Sequence, residues 1–365
     1  MSSGPAQIAS PTHENIETAA RFLKQGDVVG MPTETVYGLA GSAFNETALT
    51  KIFAVKERPT FDPLIIHVAP SAKSLRRLAS LGLIDLKALS ETARERAEKI
   101  IERFWPGPLT LILPKNPKVP DLATSGLNTV AVRMPAHAIA QTLIEAAGMP
   151  LAAPSANRFG RISPTNAQDV FDELGDRIPF ILDGGRCDIG VESTVINIDP
   201  DGTLTQLRPG GVALAELETA TGAKVADLKQ AVPATTASAQ VAPGQLQSHY
   251  APKKRLLLLT TPLGQLNATQ LKDLKTHIGS TRHIGLLMNQ NENADVISHL
   301  TTATITTQVL SASGDASEAA RRLFAALREL DRSPAELLIA EQWFENTGLG
   351  HAVADRLSRA SSVKI

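Results

Sequence analysis

Polar side chains at the ends of apolar runs are the first feature of this chain that could do chemistry. In "VVGMPTETVYGLAG", residues 28–41, an apolar run passes without a turn signal into Thr33, Glu34 and Thr35, then Tyr37 and Gly38. A strand that delivers polar groups from its carboxyl end sits where ligands of open α/β sheets collect. In "KERPTFDPLIIH", residues 56–67, Lys56 and Arg58 close a helical pattern, and Pro59 and Pro63 stiffen the exit and aim both cations at the next strand's start. Such cations either complement the helix dipole at the surface or meet an anion. His67 interrupts one face of that otherwise apolar strand, as a satisfied core histidine or as a ligand contact.

In "TVAVRMP", residues 129–135, period two places Val130, Val132 and Met134 on one face and Thr129, Ala131 and Arg133 on the other. An arginine on the covered face of a central strand is costly unless it meets an anion, either an internal Asp or Glu or a substrate carboxylate held by the planar fork. Thr129 and Arg133 are separated by roughly 13 Å at strand rise, a span suited to the two halves of an extended ligand. "APSANRFGRISPT", residues 153–165, offers Ser155, Asn157, Gly160 and Ser163 in a loop that either simply turns or lets backbone and hydroxyls approach phosphate or ribose oxygens. "GVESTV" puts Ser193 at a strand start, and "LRPGG" holds Arg208 before Pro209 and two glycines. Lys56, Arg58, Arg133 and Arg208, with many hydroxyls, stiffened loops and no metal-binding triad, suit a multiply anionic small molecule such as a nucleoside triphosphate.

Other chemistries lack their residues. The chain has no G-x-x-x-x-G-K-[ST] loop, and "GLGHAV", residues 348–353, only half matches a dinucleotide fingerprint, so its glycines read as backbone turns. Cys187 is the single cysteine, which rules out an intramolecular disulfide or multi-thiolate zinc site, and its Gly/Asp loop has no histidine nearby to activate a thiol. A formal net charge of −1 removes the global basic field of a dedicated nucleic-acid binder. Neither a signal-peptide pattern nor a run approaching a membrane span is visible, so a cytoplasmic protein is expected, with no membrane partner.

The elements that must position these groups alternate between helix and strand. Thr12 reads as the N-cap of a helix with Ile16, Ala19, Ala20 and Leu23 on one face, closed by Gly26. A second helix begins near Asn45, buries Ala48, Leu49, Ile52 and Phe53, and ends before Pro59. Strands are expected at "VVGM", "PLIIHVA", "LTLILP", "TVAVRMP", "LAAP", "FILDGG" and "STVINI"; because two neighbouring strand pairs lack an intervening helix, the sheet should be mixed. With 365 residues, two domains are expected. The segment from Ala231 to Gln247 is small, polar and Pro-bearing, and reads as a linker. "RLLLLTT", "HIGLLMN" and "ELLIAEQW" then mark the buried strands of a smaller α/β domain. The expected division is a first domain over residues 1–215, a linker over 216–252 and a second domain over 253–365.

In their order these motifs resemble the threonylcarbamoyl-AMP synthase family, whose catalytic unit is the YrdC-like domain. "PTETVYGL", Lys56-Glu57-Arg58 as KxR, "WPGPLT" from Trp105 to Thr110, "VAVRMP", "APSAN" with "SPT", "DGG", "ESTV" and "LRPG" carry the likeness over residues 12–215. The linker ending "HYAP" and the domain after it are similar to the family's long, two-domain form. The resemblance implies a mixed, twisted open sheet of YrdC-like type, followed by a smaller Rossmann-like α/β domain. It also implies a reaction in which L-threonine, bicarbonate or carbon dioxide, and ATP give threonylcarbamoyl-AMP and diphosphate. Magnesium would accompany ATP, and the product would pass to a tRNA threonylcarbamoyl-transferase complex.

By the same resemblance Thr35, His67, Arg133, Ala153 through its backbone, and Ser193 would contact threonine. Arg58, Asp62, Thr129, Ser155, Ser163, Arg208 and Tyr250 would contact ATP, with Lys56 and Asn157 completing the KxR and SxN signature and Lys56 and Arg58 serving catalysis. The linker, from 231 to 247, would fold back as a lid. Two departures from the family pattern stand out: Asp62 occupies a position where the family often has Asn, and Gln245, Leu246, Gln247 and Ser248 replace the middle of the linker motif. An RNA-binding regulatory protein on the same domain is the alternative from another class, disfavoured by the near-neutral charge and 4% aromatic content. Carbamoyl-adenylate chemistry of the hydrogenase-maturation kind would require a zinc finger that one cysteine cannot build.

Overall fold

A computed structural model describes residues 4–227, 249–290, 295–345 and 347–365. The expected linker from Ala231 to Gln247 lies outside the described residues. The chain divides into two units: Met1–Phe159, Pro164–Asp188 and Glu192–Gln245 form the first, and Gly160–Ser163, Ile189–Val191 and Leu246–Ile365 the second.

The first unit runs β1 (Gln7–Ala9), α1 (His13–Lys24), β2 (Val29–Met31), β3 (Gly38–Ser42), α2 (Glu46–Lys56), β4 (Ile65–His67), α3 (Leu75–Ser80), α4 (Glu91–Phe104), β5 (Leu109–Pro114), α5 (Asp121–Thr124), β6 (Thr129–Arg133), α6 (Ala138–Ala147), β7 (Leu151–Ala152), α7 (Ala167–Leu174), β8 (Phe180–Leu182), β9 (Thr194–Ile198), β10 (Leu204–Arg208), α8 (Leu214–Thr221) and β11 (Val225–Asp227). Its strands form one mixed eleven-stranded sheet in the order β1-β8-β2-β3-β7-β4-β6-β5-β9-β10-β11. β4 and β6 run parallel, β5 runs antiparallel to β6, and β10 antiparallel to β9.

Local chemistry sets the helices. Thr12 Oγ1 accepts from Asn15 N–H and starts α1, whose Ile16, Ala19, Ala20 and Leu23 pack with Ala140, Leu143 and Ile144 of α6 over β2. Asn45 caps α2 in the same way, accepting from the N–H groups of Thr47 at 2.9 Å and Ala48 at 3.3 Å. Leu49, Ile52 and Phe53 of α2 join a second cluster with Leu39, Leu64 and Ile66. α2 ends at Glu57, whose φ of 54° is left-handed, and Pro59 follows. Gly41 packs tightly beneath this helix, since a Cβ there would stand 3.1 Å from Ile52 Cδ1.

The second unit holds β12 (Arg255–Leu259), α9 (Ala268–Ile278), β13 (His283–Met288), α10 (Asp295–Leu300), β14 (Thr304–Val309), α11 (Ala316–Arg332), β15 (Leu337–Glu341), α12 (Gly348–Ala360) and β16 (Val363–Lys364). Its sheet, in the order β14-β13-β15-β12-β16, is parallel throughout, the Rossmann-like arrangement expected, with Leu257, Leu259, Leu286 and Ile339 in its core. Two pieces of earlier sequence belong to this unit. Gly160 O accepts from Ala251 N–H at 2.8 Å, Ile162 O accepts from Arg328 Nη2, and Gly190 comes so close to α11 that a Cβ would stand 2.5 Å from Arg321 Cα. Among the described residues no helix is long and apolar enough to cross a membrane.

The Asn45 cap carries a direct test, because α2 presents Lys56 at its far end. Asn45→Ala should cost about 1 kcal/mol of stability. Urea unfolding should show a lower midpoint with an unchanged slope; an unmoved midpoint would mean the cap contributes nothing.

Candidate active site

Strand register lines the expected residues up on one rung. His67 of β4 pairs with Arg133 of β6, Arg133 with Thr110 of β5, Thr110 with Val195 of β9, and Val195 with Arg208 of β10. Residues paired across a sheet point to the same face, so side chains distant in sequence share a neighbourhood. Ser193, two residues before Val195, points to that face and closes the row: Arg208 Nη2 donates to its Oγ at 3.1 Å, and Thr110 Oγ1 is hydrogen-bonded to it at 2.8 Å. Arg208 Nε also donates to Ser193 O at 3.0 Å. Gly210 makes this possible, since a Cβ there would stand 2.2 Å from Thr194 N. On the same face Ile65, Ile112, Ala131, Val195 and Leu207 form an apolar floor.

The turn after β2 supplies the next wall. Thr33 Oγ1 donates to Val36 O at 2.6 Å and accepts from Thr35 N–H at 3.2 Å, so its hydroxyl shapes the turn. Since Thr33 has given its one proton away, Thr35 Oγ1 donates to it at 2.9 Å and accepts from Arg133 Nη1 at 2.8 Å. Arg133 Nε donates to Gly107 O at 3.3 Å, and Nη2 stands 2.7 Å from Glu34 Oε1. That ion pair is close but poorly aligned: neither Glu34 oxygen nor Arg133 Nη2 has a hydrogen-bond partner. Arg133 therefore meets an internal acid and still keeps donor capacity. Tyr37 fastens the turn by donating to Gly185 O at 2.7 Å and accepting from Gly184 N–H at 3.0 Å.

The cations after α2 are held by the protein itself. Lys56 is buried, and its Nζ donates to Ser155 O and Asn157 O, both at 2.5 Å, so it clamps the "APSAN" loop. Asn157 Nδ2 donates to Arg158 O at 2.7 Å. Arg58 Nη2 pairs with Asp62 Oδ2 at 2.9 Å, and the guanidinium also donates to the carbonyls of Asp62 and Pro63. Asp62 is fully buried against Arg58, which explains how an acid is tolerated at this position. Ser155 forms a bridge with Gly38, and Ala153 N–H donates to Ile65 O at 3.0 Å, so a backbone contact from Ala153 falls to its carbonyl.

One expected residue stands away from this rung. Thr129 is at the opposite end of β6 from Arg133, paired with Pro114, and lines a surface pocket with Lys115, Asn128 and Asn197. Ser163 and Tyr250 belong to the second unit. Tyr250, at φ 66°, is buried with its ring against His249 and Phe324 and beneath the Arg356 guanidinium, 5.4 Å from the ring centre. Sequence reasoning passed over Thr110 and Glu34 as site residues. Glu34 stood inside the motif quoted for Thr35 and Thr110 closed the "WPGPLT" motif, but only register brings Thr110 level with Arg133.

Burial sets the protonation states. It lowers the His67 imidazole to a pKa of about 3, aided by the Arg133 charge, so His67 is neutral at neutral pH. Burial, then the neighbouring Arg58 charge, pulls Lys56 well below an ordinary lysine. It pushes the Cys187 thiol and Tyr37 phenol up, so neither offers an anionic nucleophile. The arrangement can bind and orient anions without forming a covalent intermediate.

Two family models cover the chain. Residues 21–210 match the Sua5, YciO and YrdC model, described as telomere recombination, and residues 212–362 match the model of the threonylcarbamoyl-AMP synthase C-terminal domain. The chain belongs to the threonylcarbamoyl-AMP synthase family. A threonylcarbamoyl-AMP synthase of Pyrococcus abyssi is 39% identical over 351 residues, covering 96% of this chain and 95% of the relative. One of Bacillus subtilis is 35% identical over 360 residues, covering 98% and 95%. The crystal structure of P. abyssi Sua5 complexed with L-threonine superposes with a TM-score of 0.79 at 38% identity, covering 96% of each chain.

His67 yields a pH prediction. Its folded pKa lies below its ordinary value of 6.5, so the unfolded chain binds the proton first. The stability tied to neutral His67 is complete above 6.5 and is lost as pH falls from there toward about 3. Between neutral pH and about pH 4 the wild-type protein should lose more stability than His67→Gln, by on the order of 3 kcal/mol. Equal acid losses in urea titrations would contradict the burial argument.

Proposed function

We propose that this chain is an L-threonylcarbamoyladenylate synthase, a nucleotidyltransferase that converts L-threonine, bicarbonate or carbon dioxide, and ATP into threonylcarbamoyl-AMP and diphosphate. The observation that carries this reading is Arg133: a buried guanidinium, fixed by Thr35 and Gly107, that retains unused donors on the rung it shares with His67 and Thr110. A planar fork with free N–H groups suits a carboxylate. The similarity to synthases over nearly the whole chain supplies the reaction. The product would go on to a tRNA threonylcarbamoyl-transferase complex.

In this reading threonine lies along the rung, its carboxylate on Arg133, its hydroxyl and methyl among Thr35, neutral His67, Ser193 and the Ala153 carbonyl. ATP lies toward Arg58, Ser155, Asn157 and Arg208. Lys56 acts by holding the loop that bears Ser155 and Asn157. Magnesium would accompany ATP and neutralise part of its phosphate charge; Asp62, the acid nearest the expected ATP residues in sequence, is paired with Arg58.

The chemistry then asks mainly for positioning. The threonine amine, once deprotonated, adds its lone pair to carbon dioxide and releases its second proton, giving a carbamate. A carbamate oxygen attacks the α-phosphorus in line as the bond to the β-phosphate oxygen breaks. Fixed guanidiniums facing the phosphates stabilise the charge that moves to the leaving diphosphate.

Diphosphate release should require both bicarbonate and L-threonine, and mass spectrometry should find threonylcarbamoyl-AMP. Serine, lacking the methyl, should be disfavoured roughly 10- to 200-fold; release without an amino acid would refute the reading. Arg133→Lys keeps a charge beside Glu34 but loses the fork, so the threonine KM should rise on the order of tenfold or more. The ATP KM should change far less; a proportional rise in both would make Arg133 merely structural.

A further inference from the structure

We propose that Glu34 is the seat of the substrate's ammonium group, making Glu34 and Arg133 a paired receptor for an amino-acid zwitterion. This rests on the reading of threonine as substrate. Glu34 is 6% exposed, and neither of its carboxylate oxygens has a hydrogen-bond partner. A buried carboxylate left in that condition is costly. Arg133 Nη2 approaches Oε1 to 2.7 Å without a hydrogen bond, and that nitrogen has no other partner, so both members of the pair keep unused capacity. The nearby backbone donor is also spent elsewhere, since Thr35 N–H goes to Thr33 Oγ1.

The other titratable groups that feel Glu34 supply no cation. Burial holds the His137 imidazole below its ordinary value and raises the Cys187 thiol. Burial and the Arg133 charge keep His67 neutral. Glu34 thus has Arg133 beside it and unsatisfied acceptor capacity on both buried oxygens. An α-amino acid carries its ammonium and carboxylate on one carbon, and Arg133 and Glu34 present the opposite charges side by side. A bound zwitterion would give Arg133 an aligned anion and Glu34 a donor while leaving the net charge of the pocket unchanged. Glu34 then selects amino acids over hydroxy acids, a discrimination that Arg133 cannot make.

The test is calorimetric titration of the full chain with L-threonine and with its 2-hydroxy counterpart, 2,3-dihydroxybutanoate of matching configuration. Wild-type protein should prefer threonine by about tenfold or more, and Glu34→Gln should narrow that preference to about threefold or less while still binding the hydroxy acid. A Glu34→Gln protein that keeps the full preference overturns the proposal. Should that variant fail to fold, Glu34→Asp takes its place: a retained carboxylate at shorter reach should weaken threonine more than the hydroxy acid, and equal weakening overturns the assignment. Wild-type protein that binds the two ligands equally overturns it without any variant and leaves the threonine reading standing. Wild-type protein that binds neither ligand overturns both.

Discussion

Strand register is the constraint on which the site depends. His67, Arg133, Thr110 and Arg208 come from strands spread over more than a hundred residues, and they meet because the pairing of β4, β6, β5, β9 and β10 sets them level. A one-residue slip in any of these pairings would turn a polar group toward Leu64, Ile66, Val130 and Val132 on the opposite face, which belong to the main core. The hydrophobic pattern that buries those residues is therefore also what aims the cations. Stability and function share one specification here.

The same coupling explains what could be read without the structure. α1 and α2 were legible from caps and apolar spacing, and the central strands from continuous apolar runs. β1, β10, β11, β14 and β16 were missed, and all but β10, which lies between β9 and β11, are edge strands of their sheets. An edge strand has one neighbour and less burial, so its sequence need not be apolar; β14 reads "TITTQV" and is largely exposed or half-buried. β3 was missed because its two glycines, Gly38 against Ala153 and Gly41 against Ile52 of α2, read as turn residues.

Within the site, residue types were legible and partners were not. Period two placed Arg133 on the right face of β6, but an internal acid and a substrate carboxylate remained equally open as its anion. The structure gives Glu34 as a partial partner. Lys56 and Arg58 read as cations awaiting phosphates, yet they are engaged by loop carbonyls and by Asp62. Side-chain identity limits what a group can do, whereas its occupancy by neighbours is a property of three-dimensional packing with no local signature. Thr110 shows this plainly, since its pairing with Arg133 and its contact with Ser193 appear only in three dimensions.

Internal counter-charges also bear on how such a site could work. A cation buried without a partner would cost several kcal/mol, and removing one member of a buried pair strands the other. Arg58 with Asp62, Arg133 with Glu34 and Lys56 with two carbonyls keep these groups folded before any anion arrives. The distinction lies in how completely each is satisfied. Lys56 makes two short hydrogen bonds and fixes a loop. Arg133 meets its acid out of alignment and keeps donors unused. A well-satisfied cation is scaffolding, and an under-satisfied one is a receptor, because only the second has interaction free energy left to give a ligand. On that criterion the working centre of the first unit is the Arg133–Glu34 pair, with the loop clamped by Lys56 serving as its support.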